Sequence, residues 1–238
     1  MRSAAGLAVE DVGAPIDGLW FRVARDPADA DSSLARIVPG RFLVTIDRGD
    51  YWQCAFVIPK GGAEALRRGS IESFRAQVVE AAPLLAAHVG GVRSWDDVKL
   101  LTVAVDRQVR WWKPGLLCIG DAAHAMSPVG GVGINLAIQD AVATANLLAV
   151  KLRDGRVGEA DLDAVRRRRL WPTKLTQRLQ VEIQDNVLVP VVGAGEAGLR
   201  MRMPLPLRVL SAVPPLQRVF ARVVGMGVRP EHVRSPVI

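Results

Sequence analysis

Cysteine is scarce: among 238 residues only Cys54 and Cys118 occur. Two are too few for a disulfide framework or a structural zinc site, so no metal is expected. Reduced thiols in a cytoplasmic protein are the expectation. Long apolar runs are lacking too. No stretch of about 18 apolar residues is free of charge, which argues against stable membrane insertion. The opening Met1-Arg2-Ser3-Ala4-Ala5-Gly6-Leu7 has no secretory hydrophobic region or cleavage site. No internal repeat is visible.

What is present fits a globular protein with a core. The chain is 50% hydrophobic and 23% charged, with a mean hydropathy of +0.19. That balance argues against disorder, collagen or a coiled coil. The length allows one large or two small domains. The net charge of +7 is unevenly placed. Residues 1–150 carry 15 Lys+Arg against 16 Asp+Glu, and residues 151–238 carry 16 against 8. A basic end of this kind is what a nucleic-acid or anionic-surface contact would use.

The first part reads as β-rich. Leu19–Val23 is a strand candidate, and Arg41–Ile46 and Tyr51–Ile58 flank an Arg48-Gly49-Asp50 turn as a hairpin. Residues 63–90 change to a helical period broken at Pro83, and Lys99–Val105 reads as another strand. Gly115–Gly120 is a short continuous apolar run, the pattern of a strand buried on both faces. A glycine-rich loop follows, then a helix from about Gly133 to Leu152, whose Ile134, Ile138, Ala141, Ala145 and Leu148 recur at spacings of three and four. Beyond it, Glu159–Asp185 is amphipathic with a break or kink expected at Pro172. A further segment starts at Pro204-Leu205-Pro206 and is interrupted at Pro214-Pro215, and Gly225–Ile238 reads as loop. The 115–120 strand is an orphan. A strand buried on both faces needs parallel neighbours joined by βαβ crossovers, and no other βαβ unit is present. Either it pairs with the antiparallel sheet, or its sheet lies on a segment outside this sequence.

The segment Gly115–Leu152 carries the chemistry. Gly120, Asp121, Ala122, Ala123, His124, Pro128, Gly131, Gly133, Asn135, Asp140 and Ala141 occur in order across a strand–loop–helix. The segment resembles the second flavin-binding motif of FAD-dependent monooxygenases of the aromatic hydroxylase type. Further stretches are similar to that family: Gly18–Arg22, Arg48–Gln53, Ser94–Asp97 and Arg110–Pro114 resemble its substrate domain, and Gly227–Val233 its tail.

The resemblance implies an α+β chain, part of an α/β FAD-binding fold. Residues 1–114 would form a mainly antiparallel substrate-domain sheet with helix, 115–152 the C-terminal piece of the FAD-binding domain, and 153–238 a C-terminal helical region. It assigns cofactor contacts to Gly120, Asp121, Pro128, Gly131, Val132, Gly133, Ile134 and Asn135. Asp121 lies past the carboxyl end of a strand, where α/β ligands bind, and would accept hydrogen bonds from the flavin ribityl chain. Gly130, Gly131 and Gly133 let backbone approach a flat ring, and the helix N-terminus would face its pyrimidine edge. His124 is read as a structural hydrogen-bonding residue, Cys118 as core, and no residue is assigned a catalytic role. The implied activity is an FAD-dependent, NAD(P)H-dependent monooxygenase that passes one oxygen atom of O2 to a small organic substrate, aromatic or otherwise electron-rich. Reductase or halogenase chemistry on the same scaffold stays open, as does a homodimer.

The family's opening strand with GxGxxG and its acidic ribose ligand do not precede Gly6, so the sequence reads as a C-terminal portion. Gly193-Ala194-Gly195-Glu196-Ala197-Gly198 matches GxGxxG by spacing. Pro190 breaks the run before it, Pro204 and Pro206 would cut its helix short, and no acid lies between Glu196 and Glu231. It is read as a turn. Arg166–Arg169 is the densest charge run, with Asp161 and Asp163 near enough for partial pairing. Without aromatic interleaving it reads as a solvated helix face, and no nucleic-acid partner is expected. The aromatics of the 41–58 hairpin and Trp111–Trp112 either line a substrate site or fill the core. Two rival readings are an inactive fragment and a non-enzymatic binding protein that uses the basic surface.

Overall fold

Alternating apolar side chains build the larger sheet. The computed structural model describes residues 5–29, 34–193 and 214–235. Its strands are β1 (Val9–Asp11), β2 (Ile16–Ala24), β3 (Leu34–Val38), β4 (Arg41–Asp47), β5 (Tyr51–Pro59), β6 (Lys99–Leu101), β7 (Asp106–Gln108), β8 (Trp112–Lys113), β9 (Leu116–Leu117) and β10 (His124–Ala125). Its α-helices are α1 (Ala63–Arg67), α2 (Ile71–Ala81), α3 (Gly133–Arg153), α4 (Glu159–Ile183), α5 (Val189–Gly193) and α6 (Pro214–Met226). Contacts divide the chain into two units. A sheet unit comprises residues 14–103 and 182–201, and a motif unit comprises 1–13, 104–181 and 202–238. This division does not follow the boundaries at 114 and 152 read from the sequence, because β1 pairs with β7 and β7 with β10.

In the sheet unit five antiparallel strands lie in the order β3-β4-β5-β2-β6. The hairpin expected at 41–58 is β4–β5, turning at Gly49 with φ +91°. Leu19, Phe21 and Val23 of β2 and Trp52, Cys54, Phe56 and Ile58 of β5 point to one buried face. Phe74 of α2 sits on that face, with the rings of Phe21 and Phe56 edge-on at 5.4 and 5.5 Å. The Ser70 hydroxyl accepts the Ser73 N–H and starts the helix. The strand expected over 99–105 stops at Leu101. Val103 N–H leaves the sheet for Asp17 Oδ1 at 3.0 Å, beside Gly61 N–H at 2.9 Å and Lys60 Nζ at 2.8 Å. Burial alone would push the Asp17 carboxyl up, and these donors hold it below the usual carboxylate range.

The motif unit holds the three-stranded antiparallel sheet β1-β7-β10, the β8–β9 hairpin and helices α3, α4 and α6. The α+β class holds, with antiparallel pairing throughout the described strands. The 115–120 run is not one buried strand. Pro114 and Gly115, the latter at φ +76°, turn β8 back onto β9, with Trp112 opposite Leu117. Among the described residues β9 pairs only with β8, as a two-stranded hairpin separate from the other two sheets. Pro172 does not break α4, which runs from Glu159 to Ile183. Pro214-Pro215 opens α6, where the first helical positions need no N–H donor; the residues before it lie outside the described ones. The Pro204-Leu205-Pro206 segment, and all but Gly193 of the GxGxxG look-alike, lie outside the described residues.

Helix α3 corrects the sequence reading most. Ile134 is 68% exposed and Ile138 56%, and Ala141 and Ala145 are exposed with them. The buried face carries Leu136, Gln139, Asp140, Ala143 and Leu148. Four of the five stripe residues therefore face outward, Leu148 faces in, and the polar pair Gln139–Asp140 faces in with it.

Candidate functional site

The motif folds as a tight turn pressed against a helix. After β9, Cys118 N–H donates to Trp111 O at 2.7 Å. Gly120 then adopts φ +56° and opens the single helical turn Gly120–Ala122. A Cβ at Gly120 would lie 2.9 Å from the Ala137 Cβ of α3, a contact closer than carbon atoms tolerate. Only glycine satisfies both the left-handed backbone and this approach. The chain then passes through β10 and the loop 126–132 into α3.

Asp140, on the inner face of α3, ties these pieces together. Its Oδ2 accepts Gly120 N–H at 3.0 Å and lies 2.7 Å from His124 Nε2. Its Oδ1 accepts Arg169 Nε–H at 2.9 Å. Asp140, His124 and Arg169 are all fully buried. Burial would push the Asp140 carboxyl up, but His124, Arg169 and Gly120 N–H outweigh it and hold it low. His124 therefore has a structural hydrogen bond, as expected. Arg169 also donates Nη1–H to Arg229 O at 3.0 Å and Nη2–H to Gln139 Oε1 at 3.2 Å, and lies 3.6 Å from Glu231 Oε1. Arg168 grips the same Glu231 carboxylate through two hydrogen bonds, 2.7 and 3.0 Å long.

The arginine block is thus only in part a solvated face: Arg167 is exposed and Arg168 partly so. Arg169 is a core residue, Arg168 is paired with Glu231, and Arg166 and Arg167 pair with Asp163. The sequence reading passed over the roles of Arg169 and Glu231. An available signal was Asp140 itself: a motif carboxylate on an apolar helix needs a buried cation.

The residues assigned to the cofactor fall around the turn and the start of α3. Gly120 and Val132 are buried, Gly133 and Asn135 half-buried, and Asp121, Pro128, Gly131 and Ile134 exposed. Gly130 and Gly131 have φ of +79° and +64°. No side chain caps α3, so its first N–H groups are open to an acceptor. Asn135 Nδ2–H donates to Gly225 O at 2.9 Å. Gln180 of α4, also passed over in the sequence, clamps the loop. Its Nε2 donates to Ser127 O and Val129 O at 2.8 and 2.9 Å, and its Oε1 accepts Ser127 N–H at 3.2 Å.

The tryptophan alternative is decided for the core. Trp111 is fully buried with Ala5, Cys118 and Ala123, and Trp112 packs with Leu148, Leu162 and Val165. A cavity of about 510 Å³ in this unit is lined by apolar residues including Leu116, Ile119, Leu148 and Leu162 and does not include Asp121 or the 128–135 loop.

The family profile described as an FAD binding domain matches residues 2–178. The chain belongs to the FAD binding domain family. A curated relative in this company, 6-methylpretetramide 4-monooxygenase of Streptomyces rimosus, is 34% identical over 220 residues, covering 92% of this chain and 51% of the relative. An FAD-dependent monooxygenase of Colletotrichum higginsianum is 32% identical over 164 residues, covering 62% of this chain and 34% of that protein. The chain therefore spans about half the length of the first relative and a third of the second. Among solved structures, a probable FAD-dependent monooxygenase from Pseudomonas aeruginosa aligns with a TM-score of 0.64 at 22% identity, covering 80% of this chain and 52% of that one. Such a likeness speaks for the fold.

The family's cofactor suits the motif. Exposed glycine backbone at 130 and 131, an uncapped helix N-terminus and an exposed carboxylate at Asp121 are groups a flavin and its ribityl hydroxyls can use.

Proposed function

We propose that the chain forms the flavin-ring side of an FAD-dependent monooxygenase. The observation that carries this is the Gly120–Asp121 turn locked by Asp140 against α3, with Asp121 left exposed beside it. Asp121 would accept hydrogen bonds from the ribityl chain. Pro128, Gly131, Val132 and Gly133 would shape a backbone wall for the ring, with Ile134 an exposed apolar neighbour. The α3 N–H groups would favour negative charge at the ring's near edge. Asn135, whose amide already holds Gly225 O, would serve by fixing the helix start. FAD, when bound, supplies electron storage and the reaction with O2. NAD(P)H as reductant, and a small organic substrate receiving one oxygen atom, are the rest of the reading. The names of the Streptomyces and Colletotrichum relatives support it.

By domain, the sheet of β2 to β6 would serve the substrate side, and 115–152 the flavin. Helix Val129–Arg153 is long and apolar enough to cross a membrane by length and composition, yet it carries the buried Asp140 and Gln139. A buried carboxylate and amide do not suit a membrane span, and a cytoplasmic enzyme is the reading we propose. The densest charge run, Arg166–Arg169, is engaged in internal pairing, so a nucleic-acid partner is not part of this reading. The test is reconstitution of the complete gene product with FAD. Flavin absorbance that stays with the protein through gel filtration supports the assignment, and free flavin only would sink it.

A further inference from the structure

The C-terminal segment lies along α3 and is held to it at several points. Asn135 and Gln139 donate to Gly225 O and Met226 O, Asn146 Nδ2–H donates to His232 O, and Asn146 Oδ1 accepts Arg234 and Ser235 N–H. In its middle sits Glu231, whose side chain is 4% exposed. Glu231 is the carboxylate that both Arg168 and Arg169 reach.

We propose that Glu231 is a positioning residue for the Gly120–Asp121 turn, acting through Arg169 and Asp140. The inference rests on the flavin reading only for its functional consequence. The contacts run without a gap: Glu231 to Arg169 Nη1, Arg169 Nε–H to Asp140 Oδ1, Asp140 Oδ2 to Gly120 N–H and His124 Nε2. Two carboxylates and two guanidiniums balance in charge; the side chains of Asp140, Glu231 and Arg169 are buried, and Arg168 lies at the partly exposed edge. A guanidinium is planar and donates in a fixed fork. Arg229 O accepts from Nη1, the Glu231 carboxylate lies 3.6 Å from the same nitrogen as its ion-pair partner, and Gln139 accepts from Nη2, so the Nε–H direction toward Asp140 is set. Asp140 then has one orientation that serves Gly120 and His124 together. Gly120 cannot retreat toward the helix, because Ala137 already limits its approach. The position of Asp121, one residue on, follows.

Glu231→Gln keeps the shape and removes the charge. Amide hydrogen exchange on the 238-residue chain is the first readout. Glu231→Gln should speed exchange in the peptide around 118–125 about tenfold, the loss expected when a charge-assisted contact goes. The β4–β5 hairpin should keep its wild-type rates. An Asp154→Asn control, which removes an exposed pair with Arg153 and Arg156, should change neither. Unchanged exchange at 118–125, or an equal rise everywhere, overturns the proposal. The second readout is a double-mutant cycle on FAD affinity in the complete gene product. Glu231→Gln should weaken binding in wild type and add nothing once Asp121→Ala is present. Fully additive losses overturn the relay. If wild type binds no FAD, the flavin reading fails, and the exchange result still judges the relay.

Discussion

Asp140 Oδ2 lies 2.7 Å from His124 Nε2, and neither side chain is exposed to water. The pair joins α3 to β10, and the same oxygen holds Gly120 N–H. Removing the carboxylate leaves Arg169 as a buried cation without its main partner. Asp140→Ala should therefore destabilise the motif unit by about 3–5 kcal/mol, measured by urea unfolding followed through tryptophan fluorescence.

The acid stability of this unit follows from the same groups. Asp140 and Glu231 are both held below their usual range: burial raises each, and His124, Arg168 and Arg169 outweigh it. As pH falls through about 4, the unfolded chain takes up protons that the folded chain resists. Stability should be level above about pH 5 and fall below about pH 4. Asp140→Asn should make that acid limb shallower, as read from melting temperature against pH.

Gly120→Ala places a methyl group 2.9 Å from Ala137 Cβ on a backbone at φ +56°. The left-handed backbone alone costs about 1–2 kcal/mol, and the clash adds to it. Ala137→Gly in the same chain should recover the clash portion and leave the backbone portion. Thermal melts of the single and double variants separate the two.

Gln180→Ala removes three hydrogen bonds to Ser127 and Val129 and leaves buried backbone groups unpaired. A cost of about 1–3 kcal/mol per unsatisfied group is expected. Limited proteolysis should show faster cutting in residues 126–132, with the sheet unit cut as slowly as before.

Burial pushes the Cys54 thiol up to about 12. It should not react with a thiol-specific dye at pH 8 until the chain is unfolded, since the thiolate is the reactive form.

Alternation made the β4–β5 hairpin legible in the sequence, because half-buried antiparallel strands show their inner face every second residue. Cys118 was legible as core from the apolar run around it, whereas Trp111 was left open between a substrate site and the core until its burial was seen. The outward face of α3 was not. Periodicity marks an apolar stripe without saying what covers it, and here the polar Gln139–Asp140 pair faces inward. Pro114-Gly115 was hidden within the apolar run that follows it, so a two-residue turn was read as the start of a buried strand. The motif residues Gly120 and Asp121 were found by resemblance, whereas Arg169, Gln180 and Glu231 lie 49 or more positions from Gly120. Their partnership with the turn is made by folding, and no local pattern announces it.

Flavin binding at the Gly120–Asp121 turn is tested by FAD titration of the complete gene product beside its Asp121→Ala variant. Wild type should bind FAD stoichiometrically, and the variant should bind about tenfold or more weakly while keeping its melting temperature. Equal affinity in the two proteins, or no binding by wild type, would contradict it.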